Sequence, residues 1–216
     1  MNMDGVRLAD KLAFGAGCVA RRVGFLHDAY RPDGPQKPID MAKRIMRLSV
    51  AFVLPGGSMA APSGVGVPYR QAWADWAYLQ VGDYLVGPEG CAFVAAIEPP
   101  KPMLVVMTNA EVTLRRAEVP LLAGVNTYGA PLPSTMLHLV SDFPASLIVG
   151  GLGDRTRAGL PDDTRVPGFI ALLPAVVSVQ PQVGDFLNDE RNDQFVVTAV
   201  EFLNSLWRLS LIPAVS

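Results

Sequence analysis

The chain has 216 residues, 50% of them hydrophobic and only 18% charged, with a formal net charge of -2. Globular domains usually carry about 25% charged residues, so the surplus of apolar side chains points to subunit interfaces. A membrane is not the expected destination, because a span needs about 20 consecutive apolar residues and the longest candidate, Ile170 to Val179, is broken by Pro174.

The first element in chain order is a predicted amphipathic helix over Val6 to Val23. Leu8, Leu12, Ala16, Val19 and Val23 recur three or four residues apart. Arg7, Lys11, Arg21 and Arg22 fall elsewhere on the wheel and are candidates for docking onto a partner. Gly15 and Gly17 weaken the helix, each by up to about 1 kcal/mol, so it needs a surface to pack against. The opening residues contain acids and lack the basic start and apolar run of a secretory signal. The chain is therefore expected to stay in the cytosol where it is made, with Cys18 and Cys91 as thiols. Residues 1–50 hold nine Lys/Arg and five Asp, and the rest nine bases and fifteen acids. Such a basic front on an acidic body suits an acidic partner or nucleic acid. The bases form no tract, so base readout in DNA is not indicated. Arg31-Pro32-Asp33-Gly34-Pro35 is turn chemistry that ends this segment.

Strand patterning follows. Met46 to Leu54 is a short apolar run closed by Pro55-Gly56-Gly57. Gly56-Gly57-Ser58-Met59-Ala60 looks like a nucleophile elbow, but Pro62 and Gly64 forbid the helix that must follow, so no serine hydrolase is expected. Ser58 to Pro68 reads as a long loop. Trp73, Trp76 and Tyr78 suit core or interface packing, or else a stacking platform for sugars or bases.

The most informative stretch comes next because it occurs twice. Gln80-Val81-Gly82-Asp83-Tyr84-Leu85 and Phe93 to Glu98 return as Gln182-Val183-Gly184-Asp185-Phe186-Leu187 and Phe195 to Glu201, at an offset of 102 that becomes 103 at the end. Nine positions are identical, Gly82, Asp83, Phe93 and Glu98 matching Gly184, Asp185, Phe195 and Glu201 among them. Self-similarity of this kind marks a duplicated structural unit. Each copy reads as a three-stranded meander. The first has a hairpin at Gly87-Pro88-Glu89-Gly90, with Pro and Gly placed for a type I turn, and the second a wholly polar equivalent loop over Asn188 to Asp193. The one extra residue within Phe195 to Glu201 would reverse every later side chain unless a bulge absorbs it, and one is expected near Thr198. Apolar Trp207, Leu209 and Leu211 alternate with Arg208, Ser210 and Ile212, mostly as in a strand with one buried face. Phe143 to Val149, closed by Gly150-Gly151, parallels Met46 to Leu54 and extends the duplication upstream.

These elements predict a mainly β chain of two tandem related small antiparallel β-barrel or sandwich domains with an N-terminal amphipathic helix. The expected limits are 1–30 for the helical segment, 31–117 for the first β-domain and 118–216 for the second, with a linker near Ala117 to Pro133.

Chemistry is sparse. His27 and His138 lack ligand partners at a specific spacing, so no metal is expected. Gly151-Leu152-Gly153-Asp154-Arg155-Thr156 half resembles a phosphate loop but lacks its third Gly and its helix, so no cofactor is expected. Asp83 and Asp185 each follow a Gly at a strand start, where a short carboxylate accepts from its own turn's N–H groups. Pairing with Glu98 and Glu201 as catalytic acids is the rarer alternative.

At Val81-Gly82-Asp83-Tyr84-Leu85, Phe93 to Glu98 and the closing Val112-Thr113-Leu114-Arg115, the chain resembles the small β-barrel proteins at the head-to-tail junction of tailed bacteriophages. It also resembles phage and prophage virion proteins that contain this unit twice, with Asn126-Thr127-Tyr128-Gly129 opening the second half. The resemblance implies a homo-oligomeric ring on the portal or its adaptor that contacts tail proteins, with non-specific contact to DNA in the channel and no catalytic residues. It implies a product made in the bacterial host cytoplasm and carried on the virion. The tandem fusion departs from the single-unit head-closure proteins. A carbohydrate- or cell-surface-binding module is the alternative reading, and an Asp/Glu-dependent hydrolase a third.

Overall fold

The computed structural model describes residues 3–54, 68–118, 136–150, 168–175, 179–203 and 205–214, with side chains described from residue 8 onward. Helix α1 (Met3–Val23) leads into β1 (Phe25–Tyr30), β2 (Arg44–Val53), β3 (Tyr69–Trp73), β4 (Tyr84–Gly87), β5 (Gly90–Ala96) and β6 (Met103–Met107). The second set is β7 (Ala110–Ala117), β8 (Met136–Val149), β9 (Phe169–Pro174), β10 (Phe186–Asp189), β11 (Gln194–Leu203) and β12 (Leu206–Pro213). The protein is thus mainly β with one N-terminal helix.

The first six strands pair in the order β1-β2-β3-β6-β5-β4, and β4 returns to β1, closing a six-stranded antiparallel barrel. In the second sheet the order is β7-β8-β9-β12-β11-β10, with β10 pairing back to β7. Every strand therefore has a counterpart six strands later with the same neighbours. Closure leaves neither sheet an unpaired edge.

Sheet pairing moves the expected limits of the units. Phe25–Tyr30 pairs with β2 and β4, so the first unit begins before residue 31. Ala110–Ala117 pairs with β8 and β10 and belongs to the second unit, so the sheets divide at Thr108 and Asn109 rather than at 117. The Pro and Gly residues after Ala117 fall between β7 and β8, neighbours in one sheet, and punctuation alone does not separate such a connection from a linker.

Helix α1 docks differently from its sequence pattern. Ala13, Ala16 and Ala20 are buried, while Leu8, Val19 and Val23 of the expected stripe are 59%, 44% and 68% exposed. Close approach explains the choice. A Cβ on Gly17 would come within 2.9 Å of the Asp75 Cβ, and one on Gly24 would collide with the Val50 carbonyl. Only the small-residue face lets the helix lie this near β2 and β3.

The registers superimpose under one correspondence. Tyr84 lies opposite Phe93 and Phe93 opposite Val106, whereas Phe186 lies opposite Val196 and Val196 opposite Ile212. Val196, not Phe195, is thus the counterpart of Phe93. The extra residue sits in the hairpin, where Gly87 pairs with Gly90 but the Asp189 N–H reaches the carbonyl of Asp193. Asn192, at φ 65°, takes the left-handed position of a three-residue turn. The expected bulge at Thr198 exists, between Val197 and Ala199, but β5 carries one as well, between Val94 and Ala96. It is therefore a shared feature of the unit and not compensation for an insertion.

Inward residues alternate with outward ones along each strand. Ala29, Val50, Leu85, Val94 and Val105 belong to the buried core of the first unit. Leu114, Phe143, Leu187, Val197 and Leu211 do the same in the second.

Candidate functional site

The repeated Gly-Asp pairs build one local structure twice. Gly82 and Gly184 both have φ 92°, a conformation open to glycine at little cost. Each donates its N–H across the sheet, Gly82 to Val94 at 2.8 Å and Gly184 to Val197 at 2.9 Å. The Asp83 carboxylate accepts from the Gln80 N–H at 2.8 Å and from Arg31, Nε to Oδ1 at 2.9 Å and Nη2 to Oδ2 at 2.7 Å. Asp185 accepts from the Gln182 N–H at 2.7 Å and from Arg116, at 2.7 and 2.9 Å. The same arginines cap the carbonyls of Tyr78 and Gln180. Hydrogen bonding to the carboxylates holds both guanidinium groups above their usual range. Both acids are 1% exposed with both carboxylate oxygens engaged, an arrangement that locks a turn onto β1 or β7.

Glu98 and Glu201 do not join those acids. Glu98 is exposed and lies 3.4 Å from Lys101, and Glu201 lies 3.3 Å from Arg208. Phe93 is fully buried and faces the second unit, whereas Phe195 packs edge-on against Phe169 at 5.1 Å. Each of the four acids is thus engaged with a base of its own, Asp83 with Arg31, Asp185 with Arg116, Glu98 with Lys101 and Glu201 with Arg208.

The two units share an interface built on Tyr84. Its hydroxyl donates to the Pro144 carbonyl at 2.8 Å, its ring meets Phe143 edge-on at 6.4 Å, and it is completely buried. Phe93, Ala95 and Val106 join it in one apolar cluster with residues of the second unit. The Ser205 hydroxyl donates to the Ala95 carbonyl. Asn109 anchors the junction, donating from Nδ2 to the Leu147 carbonyl at 2.8 Å and accepting from the Leu147 N–H at 2.7 Å. The segment before β2 adds a parallel bridge between Gln36 and Ser141.

Other candidates scatter. Trp76 is buried, Trp73 half-buried and Tyr78 70% exposed, so the three do not form one open stacking face. His27 is buried against Phe52 and His138 is exposed. No group of three or more potential metal ligands occurs among the described residues. An open cleft of about 270 Å³ lies beside Gln71, Glu98, Lys101 and Leu104. The Gly56–Ala60 and Gly151–Thr156 motifs and Asn126–Gly129 lie outside the described residues. Among the expected docking residues, Lys11, Arg21 and Arg22 are exposed on α1, and Arg7 lies within α1. No described helix is long and apolar enough to cross a membrane.

Sequence reasoning missed Arg31 and Arg116, the partners of the repeated acids. The available signal was a basic residue one position beyond a buried strand end in β1 and within β7, too weak to separate from ordinary surface arginines.

No family model and no curated protein matches the chain. A solved structure described as the phage-like element PBSX protein xkdH from Bacillus subtilis matches 49% of this chain and 92% of its own, at 16% identity and a TM-score of 0.29. At that score the likeness carries no argument about function.

Proposed function

We propose that the chain is a structural virion protein of the phage head-to-tail interface or tail, forming a homo-oligomeric ring that connects and seals the portal or adaptor to the tail. The observation that carries this reading is the exact use made of the duplication: one closed six-stranded unit occurs twice in like order and register, and its repeated acids are sunk in ion pairs. A repeated unit whose polar invariants hold turns together suits adhesion better than chemistry. The phage setting comes from the sequence resemblance at Val81 to Leu85, Phe93 to Glu98 and Val112 to Arg115. In this role the protein needs no cofactor, is made in the bacterial host cytoplasm and travels on the particle, and DNA in the channel meets it without sequence readout.

The test is location. Antibody to the chain, applied to tailed particles from the same source, should label the neck or tail under the electron microscope. Labelling confined to the capsid shell, or particles that lack the chain, would overturn the assignment.

A further inference from the structure

The face that the second unit covers on the first has a counterpart on the second. Tyr84, Phe93 and Val106, all fully buried, correspond by strand register to Phe186, Val196 and Ile212. Those three lack cover: Ile212 is 43% exposed and the other two are half-buried. Around them the register puts Arg115, Asn188 and Thr198 where the first unit has Tyr30, Val86 and Ala95. An apolar centre with a polar rim is the anatomy of a non-obligate interface. Arg115 Nε and Asn188 Oδ1 are buried there with no partner, and buried polar groups in native proteins are nearly always satisfied.

The other half of the joint also has a counterpart. Within the chain, β8 and β9 of the second unit meet β6 and β5 of the first. The corresponding surface of the first unit, on β2 and β3, is occupied by α1. The helix stands where a neighbouring unit would stand, and it turns Leu8, Val19 and Val23 outward. Charge completes the match. Lys11, Arg21 and Arg22 are exposed on α1, while Asp189, Glu190 and Asp193 line the hairpin that joins the strands of Phe186 and Val196.

We propose that a second copy of this chain seats its α1 end, through Leu8, Val19 and Val23, on the Phe186, Val196 and Ile212 face. The contact repeats between chains the head-to-tail joint found within one. Joined surfaces that differ in this way generate rings when the rotation closes. The inference rests on the ring reading above and assigns its surfaces.

Light scattering after size-exclusion chromatography tests it on the full chain and on the surface variants Ile212→Asp and Val19→Asp, each first checked for an unchanged circular dichroism spectrum. Wild type should assemble, each variant should run as a monomer, and an equimolar mixture should give a dimer, because each partner keeps one intact surface. Raising salt from 50 to 500 mM should weaken the wild-type assembly severalfold. If wild type and Ile212→Asp assemble equally, or the mixture fails to pair while wild type assembles, the surface assignment falls and the ring reading stands. A wild-type chain that stays monomeric at every concentration overturns both.

Discussion

Arg31 holds Asp83 by both ends of its guanidinium fork, and Arg116 holds Asp185 in the same way. The acids' side chains are 2% exposed while the arginines keep 34% and 29%, so the carboxylates are the desolvated partners. Asp83→Ala leaves the Arg31 Nε–H and the Gln80 N–H without an acceptor, and Arg31 Nη2 with the Tyr78 carbonyl alone. It should cost about 2–3 kcal/mol, with a similar loss for Asp185→Ala. Urea titration reads this as a lower midpoint, and a loss below about 0.5 kcal/mol would mark the pair as an ordinary surface contact. Arg31→Lys should recover only part of the stability, since an ammonium cannot bond both oxygens in fork geometry.

Gly87 lies against the His27 imidazole so closely that an added Cβ would overlap its ring. His27 is 1% exposed and has no room to retreat from Phe52, 5.2 Å away between ring centres. Gly87→Ala should therefore destabilise by about 1–3 kcal/mol through overpacking. Combining it with His27→Ala should restore part of that loss, and a double-mutant cycle with no coupling would refute the contact.

Alkaline pH should loosen the protein through a buried phenol and a half-buried thiol. Burial pushes the Cys91 thiol up to about 11 from an ordinary 9.0, and raises the Tyr84 phenol well above 10.0. Both groups ionise more readily unfolded, so their contribution is intact below pH 9 and declines as pH rises through 9 to 11. Thermal midpoints measured from pH 7 to 11 should fall over that window. In a Cys18→Ser background, alkylation of Cys91 should be negligible at pH 8 and rise about tenfold per pH unit as thiolate forms. Free-thiol reactivity at pH 8 would contradict the raised thiol.

The helix seat makes its own forecast. Ala20, on the buried face of α1, is 0% exposed, so Ala20→Leu should lift the helix from β2 and β3 while leaving the sheets paired. Limited proteolysis within α1 should accelerate at least severalfold, with the β signature in circular dichroism retained. Unchanged protection would show that the seat tolerates volume.

Much of the architecture was legible because strand patterning is local. The Gly-Asp starts, the alternation through Leu209 and Leu211, and the kinship of Met46–Leu54 with Phe143–Val149 all lie within single segments. In the fold, β2 and β8 occupy the same place in the strand order. Three things were hidden, each for a physical reason. Phe25–Tyr30 carries His27 and Asp28, and only ladder pairing shows that it completes the barrel. The arginine partners sit 52 and 69 residues from their acids, beyond any local pattern. The identity of Phe93 with Phe195 misaligned the copies by one, because Phe195 corresponds to Ala92 and fills the interior. The site was less legible still. Which apolar residues of α1 face out was decided by how near a helix can lie to a sheet, and Leu8 and Val19 lost that competition to alanines.

The junction at Thr108 and Asn109 has a mechanical consequence. Thr108 is bonded to Cys91 of the first sheet, Asn109 is stitched to Leu147 of the second in both directions, and the Tyr84 hydroxyl is fastened to Pro144, so the junction is held from both sides. Tension applied at one end should therefore pass through side-chain ties as well as through the backbone, so that both sheets bear the load together rather than yielding in turn.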